Sequence, residues 1–167
     1  FPSTVDHIET SRTLCMEERV LRTAHTARTL LDYGFTSAYS GGAYNARAEV
    51  VLRNAIAKGW LAGPRLKACS FEKNAVGFQA DPNLAYAGVA ARGPDVKGIC
   101  DFVAEMADLG VDAIKLVITG ESAIVPGTSR RMQFHDEELA AASKVAKTRG
   151  VPLSAHCHSA DSIKAAV

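Results

Sequence analysis

The sequence has no cysteine pair, no excess of either charge and no long apolar run, and each absence excludes a class of function. Cys15, Cys69, Cys100 and Cys157 are widely spaced and form no CxxC unit. That argues against a zinc finger or a redox dithiol. Four cysteines in 167 residues do not make a disulfide scaffold either. The expectation is free thiols in a reducing compartment, and hence a cytoplasmic location. Lys and Arg number 19 against 18 Asp and Glu, for a net charge of +1. A balance that close gives no electrostatic footprint for nucleic acid or an anionic membrane. No apolar run approaches the ~20 residues that span a bilayer. Residues Phe1-Pro2-Ser3-Thr4-Val5-Asp6 lack the basic start and apolar core of a signal peptide, and no Met opens the chain, so a cut N-terminus is expected. What is present is 47% hydrophobic and 22% charged residues, the balance of a folded protein, and no linker divides residues 1–167 into more than one domain.

One pattern occurs three times. A helix-like run ends at a glycine and a short apolar segment follows at once: Leu30-Leu31-Asp32-Tyr33-Gly34 before Phe35, Met106-Ala107-Asp108-Leu109-Gly110 before Val111, and Ala146-Lys147-Thr148-Arg149-Gly150 before Val151. Glycine just past a helix takes left-handed backbone angles without a Cβ penalty. Repeated short helix-to-strand links imply αβ units and a parallel sheet covered by helices.

The periodicity predicts helices over 15–33, 45–59, 95–109, 136–149 and from 160 onward. Val20, Leu21, Ala24, Ala27, Leu30 and Leu31 form the apolar face of the first, and Ile99, Phe102, Val103 and Met106 that of the third. Strands are predicted over 36–40, 65–70, 112–118 and 151–157. Residues 72–93 and 119–133 read as long loops after strand ends, where parallel α/β folds place their ligand sites.

In the strand 112–118, Ala113, Lys115 and Val117 share one face and Ile114, Leu116 and Ile118 the other. A sheet covered on both sides would enclose the Lys115 ammonium and lower its pKa. A neutral lysine is a nucleophile, or captures carbon dioxide as a carbamate that bridges metal ions; a lysine snorkelling from a strand end is the alternative. On the next strand Ser154, His156 and His158 alternate with Leu153, Ala155 and Cys157. Two histidines on one face point to a metal ligand or a substrate contact, against the commoner hydrogen-bonded core histidine. Gly41-Gly42 after the first strand is either a place of close ligand approach or a tight turn. Weaker candidates are Glu121 on a loop, His7 and His25 as surface residues, His135 as a helix cap, and the basic loop Ser129-Arg130-Arg131.

An ordered set of segments resembles the amidohydrolase superfamily, in its imidazolonepropionase-like and prolidase-like branch. The segments are Gly34-Phe35-Thr36-Ser37 with Gly41-Gly42, Leu52-Arg53-Asn54-Ala55-Ile56 to Gly63-Pro64-Arg65, Gly110 to Leu116 with Thr119-Gly120, Phe134 to Glu138-Leu139, and Ser154-Ala155-His156-Cys157-His158. The resemblance implies a segment of a (β/α)8 barrel, strands two to five, with a metal centre at its C-terminal mouth. It implies Lys115 as a carboxylated lysine bridging metals, His156 as a ligand to zinc or another divalent ion, and His158, Gly41 and Gly42 lining the substrate pocket. It also implies hydrolysis of an amide, carbamate, urea or cyclic amide by metal-activated hydroxide. The expected partners are a small-molecule substrate, the remainder of the barrel and a homo-oligomer, with no nucleic acid and no membrane. The sequence departs from the family at Tyr39-Ser40, where many members have Asp before Gly-Gly, and at Glu121-Ser122, and loop 72–93 lacks a Gly-Gly-His. Four of the family's six usual ligand positions have no counterpart here. Two other readings compete: a Schiff-base lyase or aldolase using Lys115, and a non-catalytic half-barrel with open edges.

Overall fold

Helices and strands alternate along the chain in the order that the glycine-terminated units predict. The structure is a computed structural model that describes residues 14–43, 45–74, 96–120 and 127–167. Its elements are α1 (Met16–Asp32), β1 (Ser37–Tyr39), α2 (Ala46–Ala57), β2 (Arg65–Lys67), β3 (Cys69–Lys73), α3 (Val96–Leu109), β4 (Ala113–Val117), α4 (Asp136–Arg149), β5 (Leu153–His156) and α5 (Ala160–Ala166). All pairings between these strands are parallel: β1 with β2, β3 with β4, and β4 with β5. The result is a mixed α/β fold with parallel strands in sequence order. Gly150 ends α4 in the left-handed conformation at φ 66°, which turns the chain straight into β5.

The main core lies between the sheet and α3 and α4. Ile99, Phe102, Val103 and Met106 of α3 are buried as predicted. They meet Ile114 and Leu116 of β4, Ile118 just beyond it, and Leu139, Ala142 and Ala146 of α4. Fully burying each large apolar side chain contributes roughly 1.5–3 kcal/mol. This half of the fold therefore holds β4 firmly from its outer face.

The structure corrects the sequence reading at two places. The apolar face of α1 is only partly covered by the described residues: Ala27 is buried, Val20, Ala24, Leu30 and Leu31 are half-buried, and Leu21 is 71% exposed. Periodicity shows that a face is apolar but not that a neighbour covers it. Among the described residues only a small cluster, Ala27, Leu52 and Leu66 with Ala24, Ala38 and Ile56, holds α1 to α2 and β2. The second correction is the strand predicted over 65–70 and the loop predicted from 72. The strand breaks at Ala68, resumes at Cys69 and runs on to Lys73.

Two carboxylates take the amides at the break. The Ala68 N–H donates to Asp112 Oδ2 at 2.8 Å, and the Cys69 N–H to Glu49 Oε2 at 3.1 Å. Side chains far away in sequence thus satisfy the two amides at the interruption. Asp112 also takes a 2.7 Å hydrogen bond from Arg53 Nη1 of α2 and one of 3.3 Å from Lys67 Nζ, while its own N–H donates to the Ala68 carbonyl at 2.8 Å. Partial burial works against its charged form, but the Arg53 guanidinium, the Ala68 N–H and Lys67 outweigh that and hold the carboxyl below the ordinary aspartate range. Glu49 behaves oppositely: burial raises its pKa, against hydrogen bonds from the Ser40 hydroxyl and the Cys69 N–H.

Asp112→Ala is expected to destabilise the fold by about 2–3 kcal/mol at neutral pH, since it leaves the Ala68 N–H unsatisfied and removes hydrogen bonds to charged groups. Because the folded-state pKa is lowered, the Asp112 contribution is present above the unfolded carboxylate pKa and is lost as pH falls through the lowered folded value. Urea titrations across that acid range should show a shallower pH dependence in the variant than in the wild type.

Candidate functional site

Strands β4 and β5 put the two leading candidates on one face, Lys115 at the middle of β4 and His156 at the end of β5. Lys115 lies opposite Ser154 and Val117 opposite His156 in the parallel register. Residues two apart on a strand share a face, so Lys115, Ser154 and His156 stand on one side of the sheet, away from Ile114 and Leu116. Lys115 is half-buried, between the enclosed and the snorkelling lysine that the sequence left open. The fully buried lysine is Lys73, 1% exposed, with Nζ 5.9 Å from the Phe102 ring centroid. No sequence signal marked it, because its position fell in a predicted loop.

Beyond the strands, backbone stitching holds the histidines in place. The Ile118 and Thr119 N–H groups both donate to the His156 carbonyl, at 3.0 and 3.2 Å. The buried Thr119 hydroxyl accepts the His158 N–H at 3.0 Å. The two imidazoles meet edge to face, centroids 4.3 Å apart at 89°. Nε2 of His156 is a buried nitrogen that makes no hydrogen bond among the described residues, and His158 is exposed. Sequence reading quoted Thr119 only as part of a motif; its part in placing His158 is visible only in the hydrogen bond.

Gly120 and Gly42 are needed for space. A Cβ on Gly120 would lie 2.5 Å from the Thr128 side chain, and one on Gly42 would lie 2.6 Å from Cγ and Oε1 of Glu72. Glu72 therefore fills the room that Gly42 leaves, and Gly41 is exposed beside it. Deeper under this face Cys69 is buried, and burial, reinforced by Glu49, pushes its thiol up to about 11. A thiol so placed is not a nucleophile near neutral pH.

The weaker candidates separate from this group. His135 is the N-cap of α4, as expected, and its N–H donates to Glu138 Oε2 at 2.8 Å. His25 lies exposed on α1, and Arg130 and Arg131 are exposed. Glu121 and His7 lie outside the described residues. So do most of the predicted loop 72–93 and residues 121–126 of the second, in which Met132 forms an isolated bridge with Thr119 just beyond β4.

The donor chemistry fits a metal only in part. His156 offers an imidazole nitrogen, and Lys115 offers an amine that becomes an oxygen donor only as a carbamate. Among the described residues no group of three His, Cys, Asp or Glu could hold an ion. Catalytic zinc takes about three protein ligands, so these two residues make up part of a set. No helix among the described residues is long and apolar enough to cross a membrane.

No family model matches the sequence, and neither does any curated protein. Solved structures do match. A Xaa-Pro dipeptidase with methionine bound in its active site superimposes with a TM-score of 0.80 at 26% identity, over 92% of this chain and 40% of its own. A molinate hydrolase gives a TM-score of 0.78 at 17% identity, over 98% and 40%. An amidohydrolase gives 0.77 at 24% identity, over 95% and 41%. The chain thus spans about two fifths of the length of the hydrolases it matches. Its parallel αβ order and these neighbours together show that the chain resembles a partial segment of the amidohydrolase superfamily.

Proposed function

We propose that this chain supplies the second to fifth strands of a (β/α)8 metal-dependent hydrolase that cleaves a C–N bond in an amide, carbamate, urea or cyclic amide. The observation that carries the reading is the β4–β5 register, which sets Lys115 and His156 on one face of a parallel sheet, with His156 at its C-terminal edge. That edge is where such folds gather their chemistry. The similarity to hydrolase structures supports the same class of reaction.

In this reading His156 Nε2 and a carboxylated Lys115 hold zinc or another divalent ion, together with donors from the remainder of the barrel. Such an ion would supply Lewis-acid chemistry at a carbonyl and acidify a bound water. His158 stands beside His156 on the substrate side, where its ring meets the group to be cleaved, and Thr119 keeps it there. Gly41, exposed after β1, lets the chain approach the substrate, while Gly42 beside it leaves the room that Glu72 occupies. The apolar surface left on α1 and α2, with Leu21 71% and Val51 47% exposed, supports cover by further barrel elements or a second copy.

Lys115→Ala and His156→Ala should each lower metal content and cut hydrolysis of a dipeptide and carbamate panel by about a hundredfold or more, in line with losing an oriented site residue. Full metal content and rate in Lys115→Ala would refute the assignment. An adduct fixed on Lys115 by borohydride with a keto acid would instead favour imine chemistry.

Thr119→Val keeps the shape of the side chain but leaves the His158 N–H without its acceptor. A stability loss of about 1–3 kcal/mol is expected. The accompanying rise in KM, at nearly constant metal content, separates His158 from the metal ligands.

A further inference from the structure

The ladder between β3 and β4 slips by one residue. Cys69 lies opposite Ala113, yet Glu72 lies opposite Lys115, so three steps on β3 match two on β4. Without the slip, strict alternation would set Phe71 beside Lys115 and turn Glu72 toward α3. With it, Phe71 packs on the main core and Glu72 comes onto the Lys115 side. A bulge of this kind re-aims a side chain.

One hydroxyl holds the bulge. The Lys115 N–H donates to Ser70 Oγ at 2.8 Å, where a regular ladder would offer a main-chain carbonyl. The Ser70 hydroxyl in turn donates to the Phe71 carbonyl at 2.6 Å. Ser70 is fully buried, so water cannot stand in for it. Gly42 completes the arrangement, since a Cβ there would meet the Glu72 side chain at 2.6 Å.

We infer that Ser70 is a positioning residue for Lys115 and that the bulge it holds makes Glu72 a further residue of the Lys115 face, at the register position opposite the lysine. The geometry is independent of the hydrolase reading; only its importance for turnover rests on that reading.

The test uses a water-soluble carbodiimide in chelator-treated, bicarbonate-free buffer. The reagent joins a neighbouring carboxylate and amine as an amide, and the water lost in that condensation converts the carbodiimide to its urea. Peptide mapping of the wild type should find Glu72 linked to Lys115. Ser70→Thr, which keeps the hydroxyl, should retain the link. Ser70→Ala should reduce it about tenfold, because a buried donor then lacks its acceptor and the aligned state loses population. Gly42→Ala should reduce it as well by pushing Glu72 aside. Amide exchange at Lys115 should quicken in Ser70→Ala but not in Ser70→Thr, which separates loss of the pin from general loosening. If Ser70→Ala does not fold, Ser70→Cys, a weaker acceptor of similar shape, carries the same comparison. No link in the wild type, or an equal yield in Ser70→Ala, overturns the inference. The expected pattern of links alongside full activity in Lys115→Ala would leave the bulge standing and remove the hydrolase reading.

Discussion

The parallel ladder between β4 and β5 governs two chemistries at once. On its outer face it sends Ile114 and Leu116 into a core shared with α3 and α4. On its inner face it lines up Lys115, Ser154 and His156. The period of two makes these a single constraint, since a shift of one residue would exchange the faces and bury the lysine in the apolar core. Core packing is therefore also site positioning. The energy that fixes β4 against Phe102 and Ala142 is what keeps Lys115 from turning.

Around that ladder, polar side chains correct what the backbone leaves unmet. Asp112 and Glu49 take the amides at the Ala68 break, and Ser70 takes the Lys115 amide at the bulge. Each is a side-chain acceptor replacing a main-chain one, and each lies where the sheet departs from regularity. The consequences differ. Asp112 is held ionised by its cationic neighbours, whereas burial favours the protonated form of Glu49. Their contributions to stability therefore respond to pH in opposite directions.

The order of elements was legible because its signals are local. Gly34, Gly110 and Gly150 mark helix ends, and the apolar positions 99, 102, 103 and 106 repeat at helical spacing. That Lys115 and His156 share a face was legible for the same reason, as alternation on neighbouring strands assigns both to one side. The bulge, the break at Ala68 and the buried Lys73 were not legible. They depend on contacts such as Asp112 with Ala68, 44 residues apart, and no window of sequence contains both partners. A single inserted residue in the ladder reverses the face of everything after it, so Glu72 and Lys73 were read as loop. The exposure of Leu21 was hidden for a related reason: helical spacing defines a stripe but says nothing of what lies against it.

The central claim is that the inner face of β4 and β5 forms part of a metal centre. The most direct measurement is a crystal structure grown with zinc or manganese, with data collected at the absorption edge of the metal. The account predicts an anomalous peak at coordination distance from His156 Nε2, with extra density joining Lys115 Nζ to the ion as a carbamate. A peak elsewhere, or a bare Lys115 amine beside a fully occupied ion that neither residue touches, would contradict it.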